Sequence, residues 1–127
     1  MTKSSFLEHV NITVRNPRAT AELYRDLFGW TIRWSGKGIH DGDVYHVGDA
    51  GSYIAVYSRG GSDAPGDTYD TIGGLNHLGV VVDDLDAVEQ AIVAAGFTTR
   101  NHASYTPGRR FYFDDPDGIE IEVVTYS

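Results

Sequence analysis

Cysteine is absent from the 127 residues, which excludes disulfides, thiolate metal sites, iron-sulfur clusters and cysteine nucleophiles. Positive charge is scarce as well. Ten Lys and Arg stand against eighteen Asp and Glu, a formal charge of -8, and the pI is near 4.8. That balance opposes the phosphate neutralisation from which most nucleic-acid affinity comes, so neither nucleic acid nor an anionic membrane surface is an expected partner. No apolar run approaches the roughly 18 residues of a membrane span. The polar start Met1-Thr2-Lys3-Ser4-Ser5 leads into a strand-like segment instead of a signal-peptide core. These absences make a soluble, cytoplasmic protein the expectation. What is present is 41% hydrophobic and 12% aromatic residues. That suffices to bury roughly two-thirds of the unfolded surface around a core and excludes a disordered chain. Five histidines in an acidic chain leave metal binding open.

The chain repeats one pattern. Leu7-Glu8-His9-Val10-Asn11-Ile12-Thr13-Val14 lies over Leu75-Asn76-His77-Leu78-Gly79-Val80-Val81-Val82 after an offset of 68 residues, the spacing from His9 to His77. Each copy has leucine, one residue, histidine, and then strand-like alternation. In the first copy Asn16 and Pro17 read as N-cap and first helical residue, Ala19 to Phe28 has helical periodicity, and Gly29 is the stop. In the second, Asp84 is the cap, Leu85 to Ala95 the helix, and Gly96 the stop. Strand-like pieces follow each helix: Thr31 to Trp34, Val44 to Val47 and Ser52 to Tyr57, then Thr98 to Asn101, Arg110 to Phe113 and Ile119 to Thr125. The expected class is therefore α+β, with two βαβββ modules at about 5-58 and 74-127 in a single domain spanning 1-127. The Gly-rich segment Arg59 to Gly74, with five glycines, a proline and three aspartates, joins them. A half of about 60 residues buries little surface alone, so the modules should pack together or pair with a second chain, and a homodimer is expected.

Strand parity then sorts the chemistry. Val10, Ile12 and Val14 should pack under the first helix, leaving His9, Asn11 and Thr13 on the opposite face. Leu78, Val80 and Val82 pack inward, with His77, Gly79 and Val81 opposite, and Ile119, Ile121 and Val123 leave Glu120 and Glu122 pointing away from the helix. Two histidines and a carboxylate thus occupy faces that helix packing does not need. His9, His77 and Glu122 have the composition of a 2-His-1-carboxylate triad, which leaves open positions on one divalent transition metal. Donors of this kind suit iron, manganese, nickel or zinc.

The motifs that carry these residues resemble the vicinal oxygen chelate superfamily, which includes glyoxalase I, extradiol dioxygenases, fosfomycin resistance proteins and bleomycin-binding proteins. They are Leu7-Glu8-His9-Val10-Asn11-Ile12, Tyr24-Arg25-Asp26-Leu27-Phe28-Gly29-Trp30, Leu75-Asn76-His77-Leu78-Gly79, and the closing Phe111-Tyr112-Phe113-Asp114-Asp115-Pro116-Asp117-Gly118-Ile119-Glu120-Ile121-Glu122. The resemblance implies paired modules forming an incomplete barrel around a metal and substrate cavity. It implies ligands from the first and last strand of each module, positions that His9, His77 and Glu122 occupy. The fourth position falls on Ala55, which has no donor atom, unlike ordinary four-ligand glyoxalase I. The implied function is a metal-dependent enzyme that chelates a small oxygen-rich substrate through two oxygens: a glyoxalase-like lyase or isomerase, a dioxygenase or a fosfomycin-type transferase. The alternative is a metal-free protein that sequesters a ligand, as bleomycin-resistance members do.

Tyr112 matches the tyrosine that contacts substrate in fosfomycin thiol transferases, whereas their potassium-loop residues are not recognisable in Asn101 to Gly108. Asn11, Ala55, Tyr112 and Arg110 are the expected substrate-binding positions, with Arg109 a further cation beside the strand. His46 and Tyr112 are the candidate catalytic groups. His40 and His102 fall in loop-like segments and receive no role.

Overall fold

Both helices start by the same chemistry. Asn16 accepts the Ala19 amide at 3.1 Å, and Asp84 accepts the Ala87 amide at 3.0 Å. Each side chain thereby satisfies one of the amide groups that a helix start leaves unpaired. Pro17 follows as the first residue of α1 (Pro17–Phe28), where its missing N–H costs nothing. Gly29 ends that helix with φ +71°, a left-handed conformation glycine adopts without strain, and returns its N–H to the Arg25 carbonyl at 2.9 Å. The second helix, α2 (Leu85–Ala94), closes on Ala95, and Gly96 at φ +99° takes the chain away.

The computed structural model describes residues 4–127, so the start Met1-Thr2-Lys3 lies outside the described residues. The chain divides into two compact units, Met1–Ser62 and Asp63–Ser127. In the first, β1 (His9–Thr13) and α1 are followed by β2 (Thr31–Lys37), β3 (Asp43–Gly48) and β4 (Tyr53–Ser58). In the second, β5 (Leu78–Val81) and α2 are followed by β6 (Arg100–Tyr105), β7 (Gly108–Asp114) and β8 (Glu120–Thr125). Each unit is thus one βαβββ module, and the class is α+β. The sheets are four-stranded and open, ordered β1-β4-β3-β2 and β5-β8-β7-β6. In both, the first strand runs parallel to the last, and the other pairs are antiparallel.

Helix α1 buries Pro17, Thr20, Ala21, Tyr24 and Leu27, a stripe at three- and four-residue spacing. That stripe packs on its own sheet, where Val47, Ile54 and Val56 are buried. In the second unit Leu85 and Ile92 of α2 and Val80, Phe111, Phe113, Ile121 and Val123 of the strands are buried. Alternation therefore assigns the partners of these residues to the opposite sheet face, as parity required.

The inner strands β3 and β7 are longer at their ends than the sequence pattern suggests, and two other strands depart from it as well. β2 runs past Trp34 through Ser35-Gly36-Lys37, and β6 occupies Arg100–Tyr105, shifted forward from Thr98 to Asn101. Both are edge strands held by pairing to an inner neighbour, and both carry a register irregularity, at Ile32/Trp34 and at Arg100/Ala103. Asn101 sits there at φ +55°. Such bulged edges lack the strict alternation from which strands are read. No helix among the described residues is long and apolar enough to cross a membrane.

Candidate functional site

Glu122 is the hinge of the second unit's outer face. It projects from β8 between β5 and β7, opposite Gly79 on one side and Tyr112 on the other. Its Oε1 lies 3.1 Å from His77 Nε2, and its Oε2 accepts from Arg110 Nη1 at 2.9 Å. Glu122 and Arg110 are 13% and 11% exposed at the side chain, so the ion pair is held largely away from water, whereas His77 is 31% exposed. The His77 ring also meets Tyr112 edge-on, with centroids 5.6 Å apart. Burial, and then the Glu122 charge, raise the Tyr112 hydroxyl above its usual pKa, so its proton is retained at neutral pH.

Around this centre Glu120 accepts from Arg100 and from the Tyr69 hydroxyl, and Arg100 also binds Asp114 at 2.9 Å. The bond to Glu120 pushes the Tyr69 hydroxyl up to about 12. Tyr69 comes from the Gly-rich connecting segment, which therefore lies along its own unit at this edge. Among the described residues, three buried nitrogens on the face find no hydrogen-bond partner: His77 Nδ1, Arg110 Nε and Arg110 Nη2. His77 Nδ1 approaches Glu120 Oε1 only to 3.8 Å.

The first unit presents the same positions with different chemistry. Asn11, two residues after His9, stands opposite Ala55, and Gly79, two residues after His77, stands opposite Glu122. Backbone pairing thus makes Ala55 the counterpart of Glu122, by a route independent of sequence alignment. The correspondence continues across each sheet: His46 is opposite Ala55 where Tyr112 is opposite Glu122, and Trp34 is opposite His46 where Arg100 is opposite Tyr112. Where the second unit has an ion-pair network, the first has a row of rings. His9 stacks on Tyr53 at 4.8 Å, Tyr53 on His46 at 4.4 Å, and His46 meets Trp34 at 5.0 Å. Arg33 lies over the Tyr53 ring at 4.7 Å, a cation–π contact. Burial, followed by the nearby His9 and Arg33 charges, lowers the His46 pKa and favours its neutral form. Ala55 is only 2% exposed. His9 Nδ1 donates to Glu8 Oε1 at 2.9 Å.

The structure therefore gathers His77, Glu122, Arg110 and Tyr112 on one face, and His9, Asn11, Ala55 and His46 on the corresponding face of the first unit. Among the described residues, no three His, Asp or Glu side chains converge as a ready-made metal cage. Arg109, adjacent to Arg110, points to the other side, half exposed and 3.6 Å from Asp86. Sequence parity separates the two arginines once the limits of β7 are known. The network partners Arg100 and Tyr69 had no signal in the sequence, whereas Glu120 shares the two-residue spacing of Glu122.

His102, given no role from sequence, lies on β6 and forms a second cluster on the helix side. Its Nε2 is 2.6 Å from Glu89 Oε2, which also accepts from Thr99 Oγ1 at 2.5 Å. The Thr99 bond first, and His102 second, hold Glu89 below its usual pKa. A carboxyl with a depressed folded-state pKa adds stability that is present above its unfolded value, near 4.5, and is lost as pH falls through the folded value. Glu89→Gln is therefore expected to flatten the acid limb of the stability curve below about pH 4.5, measured by urea denaturation across pH. An unchanged acid limb would show that the cluster contributes nothing.

Residues 6–123 match the family model for the Glyoxalase/Bleomycin resistance protein/Dioxygenase superfamily. No curated protein matches by sequence. Among solved structures, a glyoxylase/bleomycin resistance protein/dioxygenase domain from Frankia sp. EAN1pec is similar at 25% identity and a TM-score of 0.82, over 98% of this chain and 100% of that one. The genomically encoded fosfomycin resistance protein FosX from Listeria monocytogenes has 20% identity and a TM-score of 0.76, over 98% of this chain and 96% of its own. TnmS3, an antibiotic binding protein from Streptomyces sp. CB03234, has 20% identity and a TM-score of 0.73 over the whole of both chains. At 20% identity these last two speak to fold alone.

Proposed function

The chain belongs to the Glyoxalase/Bleomycin resistance protein/Dioxygenase superfamily, and on that premise we propose a divalent-metal-dependent enzyme acting on a small oxygen-rich molecule. His77 and Glu122 are two of its metal ligands, and His9 of the first module is the third. The observation that supports this reading is the 3.1 Å approach of His77 Nε2 to Glu122 Oε1. Two donor atoms each about 2.1 Å from one ion, at right angles, lie about 3.0 Å apart, so this pair fits adjacent positions on a single ion without rebuilding the strands. The donors are imidazole nitrogen and carboxylate oxygen, suited to iron, manganese, nickel or zinc. Such an ion, when bound, supplies Lewis-acid polarisation of neighbouring substrate oxygens.

The chain's own residues do the rest. Arg110 holds the second Glu122 oxygen and so fixes the carboxylate's orientation. Tyr112 keeps its hydroxyl proton and can donate it in a hydrogen bond to a substrate oxygen. His46, held neutral by burial, can accept a proton, and Asn11 adds an amide on the same sheet face. With alanine at position 55, a four-ligand glyoxalase I site is not proposed; lyase, isomerase, dioxygenase and transferase chemistry all remain compatible with three ligands. The proposal carries with it a homodimer in the cytoplasm.

A second reading, metal-free sequestration of an aromatic ligand, is favoured by the ring row His9, Tyr53, His46 and Trp34 and by the Arg110 bond that already engages Glu122. TnmS3, an antibiotic binding protein of similar fold, is a structural precedent for it. Elemental analysis decides between the two. Protein purified without chelator and incubated with manganese, iron, nickel or zinc is expected to retain one metal per chain. Retention of none by any preparation sinks the enzyme reading in favour of sequestration.

A further inference from the structure

Arg110 has more donors than the described residues provide acceptors. A guanidinium carries five N–H donors and no acceptor. Nη1 is engaged by Glu122 and the ring of Tyr105 covers the cationic face, with 4.6 Å from the guanidinium carbon to the ring centroid. Nε and Nη2 remain buried and without a partner among the described residues. These two nitrogens share one edge of the planar group, the edge that binds a carboxylate or a phosphonate through two parallel hydrogen bonds. A metal ion cannot fill this edge, because the edge only donates. Glu122 cannot fill it either, since its two oxygens face Nη1 and His77.

From this geometry we infer that the Nε/Nη2 edge of Arg110 is the anchor for an oxyanion of the ligand, either a carboxylate or a phosphonate, which selects acidic substrates over neutral ones. The inference deepens the proposed function and rests on its reading of this sheet face as the ligand face. Glu122 stands between the two chemistries, with His77 at one oxygen and Arg110 at the other. The substrate class is therefore an oxygen-rich molecule whose acidic group is separate from the oxygens that approach His77 and Glu122. Arg110 is paired with Glu122, and Arg100 serves both Glu120 and Asp114, so the anchor is the directed donor edge of Arg110 and not a surplus of positive charge. Tyr105, at the end of β6 and 58% exposed, lies over the face of the same guanidinium. Arg109 offers no competing anchor, being turned to the other side toward Asp86.

The test is a titration of the full chain, labelled with nitrogen-15 and kept in chelator, with benzoate, phenylphosphonate and the neutral benzamide. The Arg110 Nε–H resonance, assigned through its own side-chain carbons, is expected to move downfield and saturate with at least one of the two anions and to stay in place with benzamide. A response to benzoate alone assigns a planar carboxylate, and one to phenylphosphonate alone a tetrahedral acid. By calorimetry Arg110→Lys, which keeps the charge but loses the two-pronged edge, is expected to weaken the anion that binds by about tenfold or more. A stationary resonance with both anions overturns the inference, as does equal movement with benzamide. Because chelator is present throughout, failure to hold metal leaves this result standing. Metal binding with a stationary Arg110 resonance defeats this inference alone.

Discussion

Glu122→Gln is expected to weaken divalent-metal binding by more than about 100-fold while leaving the fold intact. The carboxylate serves two neighbours: Oε1 lies toward His77 and Oε2 accepts from Arg110. A glutamine oxygen can keep the Arg110 bond, so the strand β8 position stays packed. What is lost is the anionic donor, and a neutral amide is a far weaker ligand for a hard or borderline cation. His77→Ala, which removes the imidazole from the same pair, should produce a comparable loss. His102→Ala is the control, since His102 pairs with Glu89 on the helix side and should leave affinity unchanged. Calorimetric titration with manganese or zinc reads the affinity, and circular dichroism reports the fold. Wild-type affinity in Glu122→Gln would place the ion elsewhere.

The largest expected loss of stability comes from Phe111→Ala. Phe111 is fully buried on β7, between Arg110 and Tyr112, and it pairs across β8 with Val123, which is also fully buried. Truncation removes the transfer free energy of an aromatic ring and leaves a cavity that neighbours fill only in part. Such changes cost about 3–5 kcal/mol, which for a chain of this size lowers the melting midpoint by roughly 10–20 °C. Phe111→Leu should recover most of the loss, because it restores apolar volume. The same residue separates stability from the site: Arg110 and Tyr112 face the other side of the sheet, so Phe111→Ala should not shift the direct contacts of Glu122 in the molecules that remain folded. A melting midpoint within a few degrees of wild type would mean that β7 alternation is misassigned.

Much of this organisation was legible in the amino acids. The order of strand, cap, helix and stop recurs in both halves because Asn16 and Asp84 perform the same local chemistry, and local chemistry is written in consecutive residues. The faces were legible for a similar reason: a strand has a period of two, so Ile121 and Val123 on the helix side place Glu120 and Glu122 on the other. Even the pairing of Ala55 with Glu122 as counterparts follows once the helix stops Gly29 and Gly96 are aligned, an offset of 67, and it is matched by the strand registers. The edge strands were less legible. Ser35-Gly36-Lys37 and Asn101-His102-Ala103 have weak strand propensity, and they extend because a neighbouring strand offers hydrogen bonds, a non-local influence.

The sequence by itself therefore determined the modules, their helix limits and the identity of the face that bears His77 and Glu122. Only the tertiary structure decided what each polar group on that face is paired with. It distinguished Arg110, buried against Glu122, from Arg109, half exposed toward Asp86, although the two are adjacent in the chain. It drew Arg100 and Tyr69 to Glu120 across separations of 20 and 51 residues. The physical reason is that capping and alternation act within a few residues of the chain, whereas ion pairs and hydrogen bonds are set by how the strands are ordered in space.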